Sequence, residues 1–198
     1  LTGYMLRYTG VKTVGLCHSV QVCAPHLLQG LGLSAEGIQW TIAGINHMAW
    51  LLSITRNGKD LYPEIKRLAQ ERPRDHGDLV RYELMKQFGY YVTESSEHNA
   101  EYLPYFIKNR NPELIERFRI PLDEYPRRCV NQIAGWKTMR EELVANKDLV
   151  HTLSHEYGAR IMDAMETNVP YKIGGNVLNT GLITNLPQEA CVEVPCLV

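Results

Sequence analysis

"IQWTIAGINHMAWLLSITRNGKD", Ile38–Asp60, decides how the chain folds. Two runs rich in β-branched and aromatic residues, "IQWTIAGI" and "MAWLLSI", read as strands, with Asn46 and His47 between them. The second run is closed by "RNGKD". Its Asn57-Gly58 pair is a good hairpin turn, because both residues tolerate the left-handed backbone that a two-residue connection demands. His47 therefore sits in an apolar inter-strand corner.

Outward from this hairpin, "VKTVGL" (11–16) reads as a buried strand. From Ser19 the apolar positions Val22, His26/Leu27 and Leu28 fall at helical spacing, with Ser19 as candidate N-cap and Gly30/Gly32 as the stop. Cys17 and His18 are thereby placed at a strand-to-helix junction. Downstream, helices are expected over 61–70, 78–89, 112–119, 124–146 and 154–167. The third is entered through Asn111-Pro112 and the fourth behind Asp123. "YKIGGNVLN" and "CVEVPCLV" return to strand character. Helices outnumber strands, there is no internal repeat or linker, and the class is α+β, with helices packed on a mixed or antiparallel sheet.

With 198 residues, 44% of them hydrophobic, the chain can bury one core. Lys+Arg 21 against Asp+Glu 22 leaves a net charge of -1, so no electrostatic footprint points to nucleic acid or an anionic membrane. No apolar run approaches the roughly 20 residues that span a bilayer. The five cysteines are odd in number and contain no CxxC pair, which fits reduced thiols in a cytoplasmic protein. The chain opens on Leu1 and closes on the β-rich "CVEVPCLV", without the polar, frayed ends usual for a domain. Both ends read as cuts through a longer protein.

Several familiar chemistries fail on spacing. "HEYGAR" starts like a zinc-protease helix, but the position four after His155 is Ala159. There is no GxSxG, no P-loop and no GxGxxG. What remains is a thiol, Cys17, at the start of a helix, where thiolate is favoured, and a histidine, His47, in an apolar corner. Each alone is more often core filler or a hydrogen-bonded core group. Together they form an N/S pair suited to a divalent metal, and two protein ligands leave positions open for substrate. "TESSEHNAEYLPYF" (93–106), with His98 at its centre, is either a solvated loop with aromatic anchors or a polar pocket wall suited to a sugar. Asn176, Asn179 and Asn185 offer turn chemistry or amide donors. Tyr157 and Arg160, three apart on a helix, would pair a phenol with a cation that lowers its pKa.

Five ordered stretches, "GLCHSVQ", "AGINHMAWLL", "YYVTESSEHNAEYLPYF", "PLDEYPRRC" and "GLITNLPQEACVEVPCLV", resemble glycoside hydrolase family 4, and within it the α-galactosidase branch. The resemblance covers essentially the whole chain. It implies the catalytic, substrate-binding portion, residues 1–198, of a lactate-dehydrogenase-like C-terminal domain. The NAD-binding Rossmann domain would lie outside this stretch, which by itself would turn over no glycoside. The family is an exception to two-carboxylate hydrolysis. It oxidises the sugar at carbon 3 with NAD, removes the carbon-2 proton, eliminates the leaving group, adds water and reduces the ketone. Cys17 and His47 are implied to ligate Mn2+, although thiolate and imidazole by themselves suggest zinc. Asn46, His98 and Arg160 are implied to contact the sugar, His18 to act as acid on the leaving group and Tyr157 as the carbon-2 base. His18 stands where phospho-sugar members carry Asp, which implies an unphosphorylated substrate. A homo-oligomer is implied as well. The readings left open are a relative acting on glucosides or uronides, and a non-catalytic metal- or sugar-binding module.

Overall fold

Residues 38–60 form the hairpin that their pattern predicts. The computed structural model describes residues 1–145, 154 and 156–198. Its strands are β1 (Gly15–Leu16), β2 (Ile38–Ile45), β3 (Met48–Arg56), β4 (Lys59–Asp60), β5 (Tyr91–Val92), β6 (Lys172–Leu178) and β7 (Cys191–Leu197). They make one sheet in the order β1-β6-β7-β2-β3-β4, with β5 also on β3, and every pairing is antiparallel. The helices are α1 (Thr2–Tyr8), α2 (Ser19–Gly30), α3 (Tyr62–Glu71), α4 (Leu79–Phe88), α5 (Ser96–Tyr102), α6 (Glu113–Arg117), α7 (Glu124–Ala145) and α8 (Gly158–Thr167).

Asn57 and Gly58 both take positive φ, +51° and +77°, and close β3 onto β4. At the other end of the hairpin Ile45 pairs with Met48, so Asn46 and His47 are the whole connection. Between Thr41↔Ser53 and Ile42↔Leu51 the register slips, leaving Leu52 as an extra, half-exposed residue on β3. This bulge resets the alternation, so that Leu51 and Ile54, three apart, both face the core and are fully buried. Helix α2 covers this face through Val20, Cys23, Ala24, Leu27 and Leu28. A second cluster joins α4, β5 and α5 through Val80, Leu84, Val92 and Ala100 to Phe106 and Phe118. No described helix is long and apolar enough to cross a membrane.

Several elements differ from expectation. The strand over 11–16 shrinks to two residues and is not buried: β1 is an edge strand that pairs with β6 alone, and Leu16 is 44% exposed. Helix α1 and strand β5 carry too short a pattern to be read. The segment 93–106 is not all loop, since α5 runs through it, capped by the Ser95 hydroxyl, which accepts the His98 N–H. Helix α8 starts at Gly158 rather than 154, and residue 155 lies outside the described residues, as does Asn146 of the 124–146 helix. Ser19 is the first helical residue of α2 rather than its cap.

Gly44 is where the hairpin is least tolerant. A Cβ there would lie 2.6 Å from the Ala49 Cα and 2.9 Å from the Met48 carbonyl oxygen, both of them backbone. Gly44→Ala should therefore cost about 1–3 kcal/mol, at roughly 2–4 °C of thermal midpoint per kcal/mol. A melting curve that superimposes on the parent's would show that β2 and β3 need no such close approach.

Candidate metal centre

Three separate turns of the chain deliver the candidate ligands to one place. Cys17 is the first of the two residues between β1 and α2. His47 is the second residue of the β2–β3 turn, and Glu94 links β5 to α5. The Sγ of Cys17, a ring nitrogen of His47 and a carboxylate oxygen of Glu94 all lie within 4.8 Å of one another. His47 Nε2 is 3.4 Å from Glu94 Oε2. Both His47 (φ +63°) and Glu94 (φ +65°) are left-handed, a conformation uncommon for such side chains and concentrated at functional sites. Cys17 is buried, with its Sγ 2.9 Å from the Ser19 hydroxyl. His18, His26, Arg81 and Ser95 help to line the surrounding cleft, about 380 Å³ in volume.

Helix α5 packs beside His47. Its His98 ring meets His47 edge-on at 5.7 Å, and the Tyr102 hydroxyl lies 3.4 Å from His47 Nδ1. Slight burial raises the Tyr102 pKa, helped by Glu94 and Glu101. Sequence reasoning selected His98 but missed Glu94 and Tyr102. The signal for Tyr102 was available in its position four residues after His98, which places both on one helical face.

Beneath the turn sits Glu193 of β7, fully buried. Its Oε1 accepts from Asn46 Nδ2 at 3.3 Å and from Asn176 Nδ2 at 3.0 Å. Its Oε2 has no partner among the described residues. Burial raises the Glu193 pKa, and the two amides pull against that. Asn46, next to His47 in the turn, is thus oriented by a carboxylate that the sequence gave no reason to select. Asn179 serves turn chemistry, donating to the carbonyls of Ile183, Leu186 and Pro187.

Two other assigned residues are placed differently. Tyr157 precedes α8 rather than sharing a helix face with Arg160. Its buried hydroxyl donates to the Cys17 carbonyl at 2.8 Å and accepts the Cys17 N–H at 3.0 Å. Burial raises its pKa, the opposite of the effect expected from Arg160. That cation instead lies over the Tyr171 ring, 6.0 Å from its centroid, and does not line the metal cleft. His18 does line it, with Nε2 2.6 Å from Glu156 Oε1 in an exposed pair.

Comparison with known proteins gives a consistent outcome. The model of the family 4 glycosyl hydrolase C-terminal domain matches residues 42–198, which include His47 and Glu94 and begin after Cys17. An α-galactosidase of Bacillus subtilis is 65% identical over 198 residues, all of this chain and 46% of that protein. Among solved structures, a putative glucosidase of Bacillus subtilis superimposes with a TM-score of 0.78 at 22% identity, covering 100% of this chain and 50% of that one. A 6-phospho-α-glucosidase from gut microorganisms, solved in complex with NAD and Mn2+, gives 0.59 at 21% identity over 92% of this chain and 44% of its own. The chain spans about half the length of the curated relatives it matches.

The buried carboxylate makes a pH prediction. Glu193 titrates higher folded than unfolded, so its protonated form favours the folded state. That contribution is complete below the ordinary carboxylate pKa and is lost as pH rises through the folded value. Glu193→Gln removes the titration, so in urea melts the parent should lose stability relative to the variant as pH rises from about 4 to 7. A constant difference across that range would mean that Glu193 is not desolvated.

Proposed function

The chain belongs to glycosyl hydrolase family 4, and on that premise we propose that it forms the metal- and sugar-binding part of an enzyme that hydrolyses α-galactosides. The convergence of Cys17, His47 and Glu94 carries this reading, and the 65% identity to an α-galactosidase supports the choice of sugar. Thiolate, imidazole and carboxylate are all competent donors to a first-row divalent cation, and three protein ligands leave positions open. We assign these residues to hold manganese, the metal that the family resemblance favours. When bound, such a cation supplies Lewis-acid polarisation of sugar oxygens. The described residues do not fit a dinucleotide: none forms a strand, glycine-rich loop and helix that would cradle a diphosphate. No hydride step is therefore derived from them, and NAD is assigned to the intact gene product.

The chain's own residues then divide the remaining work. Asn46, steadied by Glu193, and His98 face the sugar hydroxyls. His18 stays as the acid for the leaving oxygen, because it lines the same cleft. For the carbon-2 proton we assign Tyr102 in place of Tyr157. The Tyr102 hydroxyl lies beside His47 on a half-exposed residue, whereas that of Tyr157 is closed on both sides by the Cys17 backbone. Tyr157 braces the ligand instead. Helix α7 buries no residue and exposes Val130, Ile133, Trp136 and Leu143 at helical spacing, which supports assembly with a second copy. The free thiols support a cytoplasmic setting.

Cys17→Ser and His47→Ala should each weaken Mn2+ binding by at least about tenfold. Cys17→Ser should also abolish the thiolate charge-transfer band of the Co2+-loaded chain. An unchanged spectrum would remove Cys17 from the metal.

Elimination requires proton loss at carbon 2. The intact gene product, turning over an α-galactoside in heavy water, should therefore release sugar deuterated there, as a direct displacement would not. Tyr102→Phe should lower turnover by about 10²–10⁴-fold with metal affinity kept, and Tyr157→Phe should weaken the metal as well. Because the Tyr102 pKa is raised, turnover should climb towards alkaline pH as phenolate forms. Unlabelled sugar, or full turnover by the Tyr102 variant, would overturn this assignment.

A further inference from the structure

Helix α4 lines two clefts. Its Arg81 belongs to the metal cleft, while Leu79, Tyr82 and Lys86 line another of about 520 Å³ that α3 and residues 72–76 complete. Lys66, Arg72, Arg74, His76 and Lys86 surround this second space, against one carboxylate, Glu83. Glu83 Oε1 already accepts from Gln87 Nε2 at 2.7 Å. Four cations outside this cleft pair with carboxylates: Arg67 with Glu71, Arg81 with Asp78, and Arg127 and Arg128 with Glu124. Among the described residues, none of the four lysines and arginines of this cleft forms an ion pair.

Neutral groups hold three of these heads in place. Arg72 Nη1 donates to the Tyr82 hydroxyl at 2.9 Å, and its guanidinium lies 5.9 Å from that ring's centroid. Lys66 lies 5.2 Å from the centroid of Tyr62. Arg74 donates to the Arg117 carbonyl at 3.2 Å and sits 5.7 Å over Phe118. Cations ordered by aromatic faces and carbonyls keep their charge uncompensated, and ordering them in advance lowers the entropic cost of binding an anion. His76 adds a donor rather than a charge. Burial, then Arg72, lowers its pKa, and its Nδ1 accepts the Asp78 N–H at 3.0 Å, so Nε2 carries the proton.

We propose that this cleft is a binding site for a small molecule bearing a phosphoryl group. The space falls within the range of small-molecule sites, about 300–1,000 Å³. A single carboxylate would leave most of the cations uncompensated. A phosphate monoester carries roughly two charges and three acceptor oxygens, and guanidinium forks match that geometry.

The test is calorimetric titration of the chain with inorganic pyrophosphate and with a hexose 6-phosphate, with chelator present so that the metal cleft contributes nothing. Saturable binding of either is expected, weakening severalfold between ~0.05 and ~0.2 M salt. The tighter probe tells whether the source is a free oxyanion or a sugar phosphate. Arg74 and Lys86 are exposed, so an Arg74→Gln/Lys86→Gln variant should keep its circular dichroism and lose affinity by at least about tenfold. Absence of saturation by both probes, or equal affinity in the variant, would overturn the proposal. So would binding confined to an acidic peptide, which would point to a protein partner.

Discussion

One buried carboxylate ties the two halves of the sheet together. Glu193 lies opposite Gly44 across the β2–β7 junction, and its Oε1 takes amide protons from both Asn46 and Asn176. Burial penalises the charged form of Glu193, and the two amides offset that at Oε1 alone. The carboxylate therefore fixes the tip of the β2–β3 hairpin against the β6–β7 hairpin, 147 residues further along. The paired register between β2 and β7 amounts to that one position. Two residues on is Pro195, which has no N–H to extend a ladder. The polar contact thus takes over where backbone pairing stops.

The metal cluster inherits its geometry from this tie. Asn46 is held from below, and His47, the second residue of a two-residue turn, takes left-handed φ with its ring beside Glu94 and Tyr102. Cys17 is fixed independently, through the Tyr157 hydroxyl closing on its backbone from both sides. Asp78 steadies the rim. Its Oδ1 accepts from Arg81 Nε at 2.5 Å and from the Ser96 hydroxyl at 3.2 Å, and its Oδ2 from Tyr91. Strained and desolvated groups are gathered at the cleft, while the apolar packing of α2 on the sheet supplies the stability that tolerates them.

The metal cleft and the cationic cleft illustrate two ways of presenting charge. In the first, a carboxylate stands beside a thiol and an imidazole, donors of the kind that a divalent cation takes. In the second, aromatic rings and carbonyls hold guanidinium and ammonium groups without neutralising them. Each arrangement stores an interaction that a ligand of opposite sign would complete.

What the sequence determined by itself was local. The period-2 runs around Asn46-His47 and Asn57-Gly58, the helical spacing after Ser19 and the closing strands 172–178 and 191–197 were legible, because turn chemistry and apolar periodicity act over a few residues. Cys17 and His47 could be selected because a reactive side chain beside an apolar run stands out, whereas His18, Asn46 and His98 were implied by the family resemblance. Only the tertiary structure decided that Glu94 and Tyr102 join Cys17 and His47, that Glu193 steadies Asn46, and that Tyr157 braces Cys17 while Arg160 turns to Tyr171. Those pairings span up to 147 residues, and acidic and aromatic residues are too common for spacing to distinguish the one that arrives. They depend on the Leu52 bulge, the edge position of β1 and a helix that begins after Tyr157 rather than before it. Each of these is settled by which neighbours are buried together, a property of the packed sheet that no short window of sequence contains.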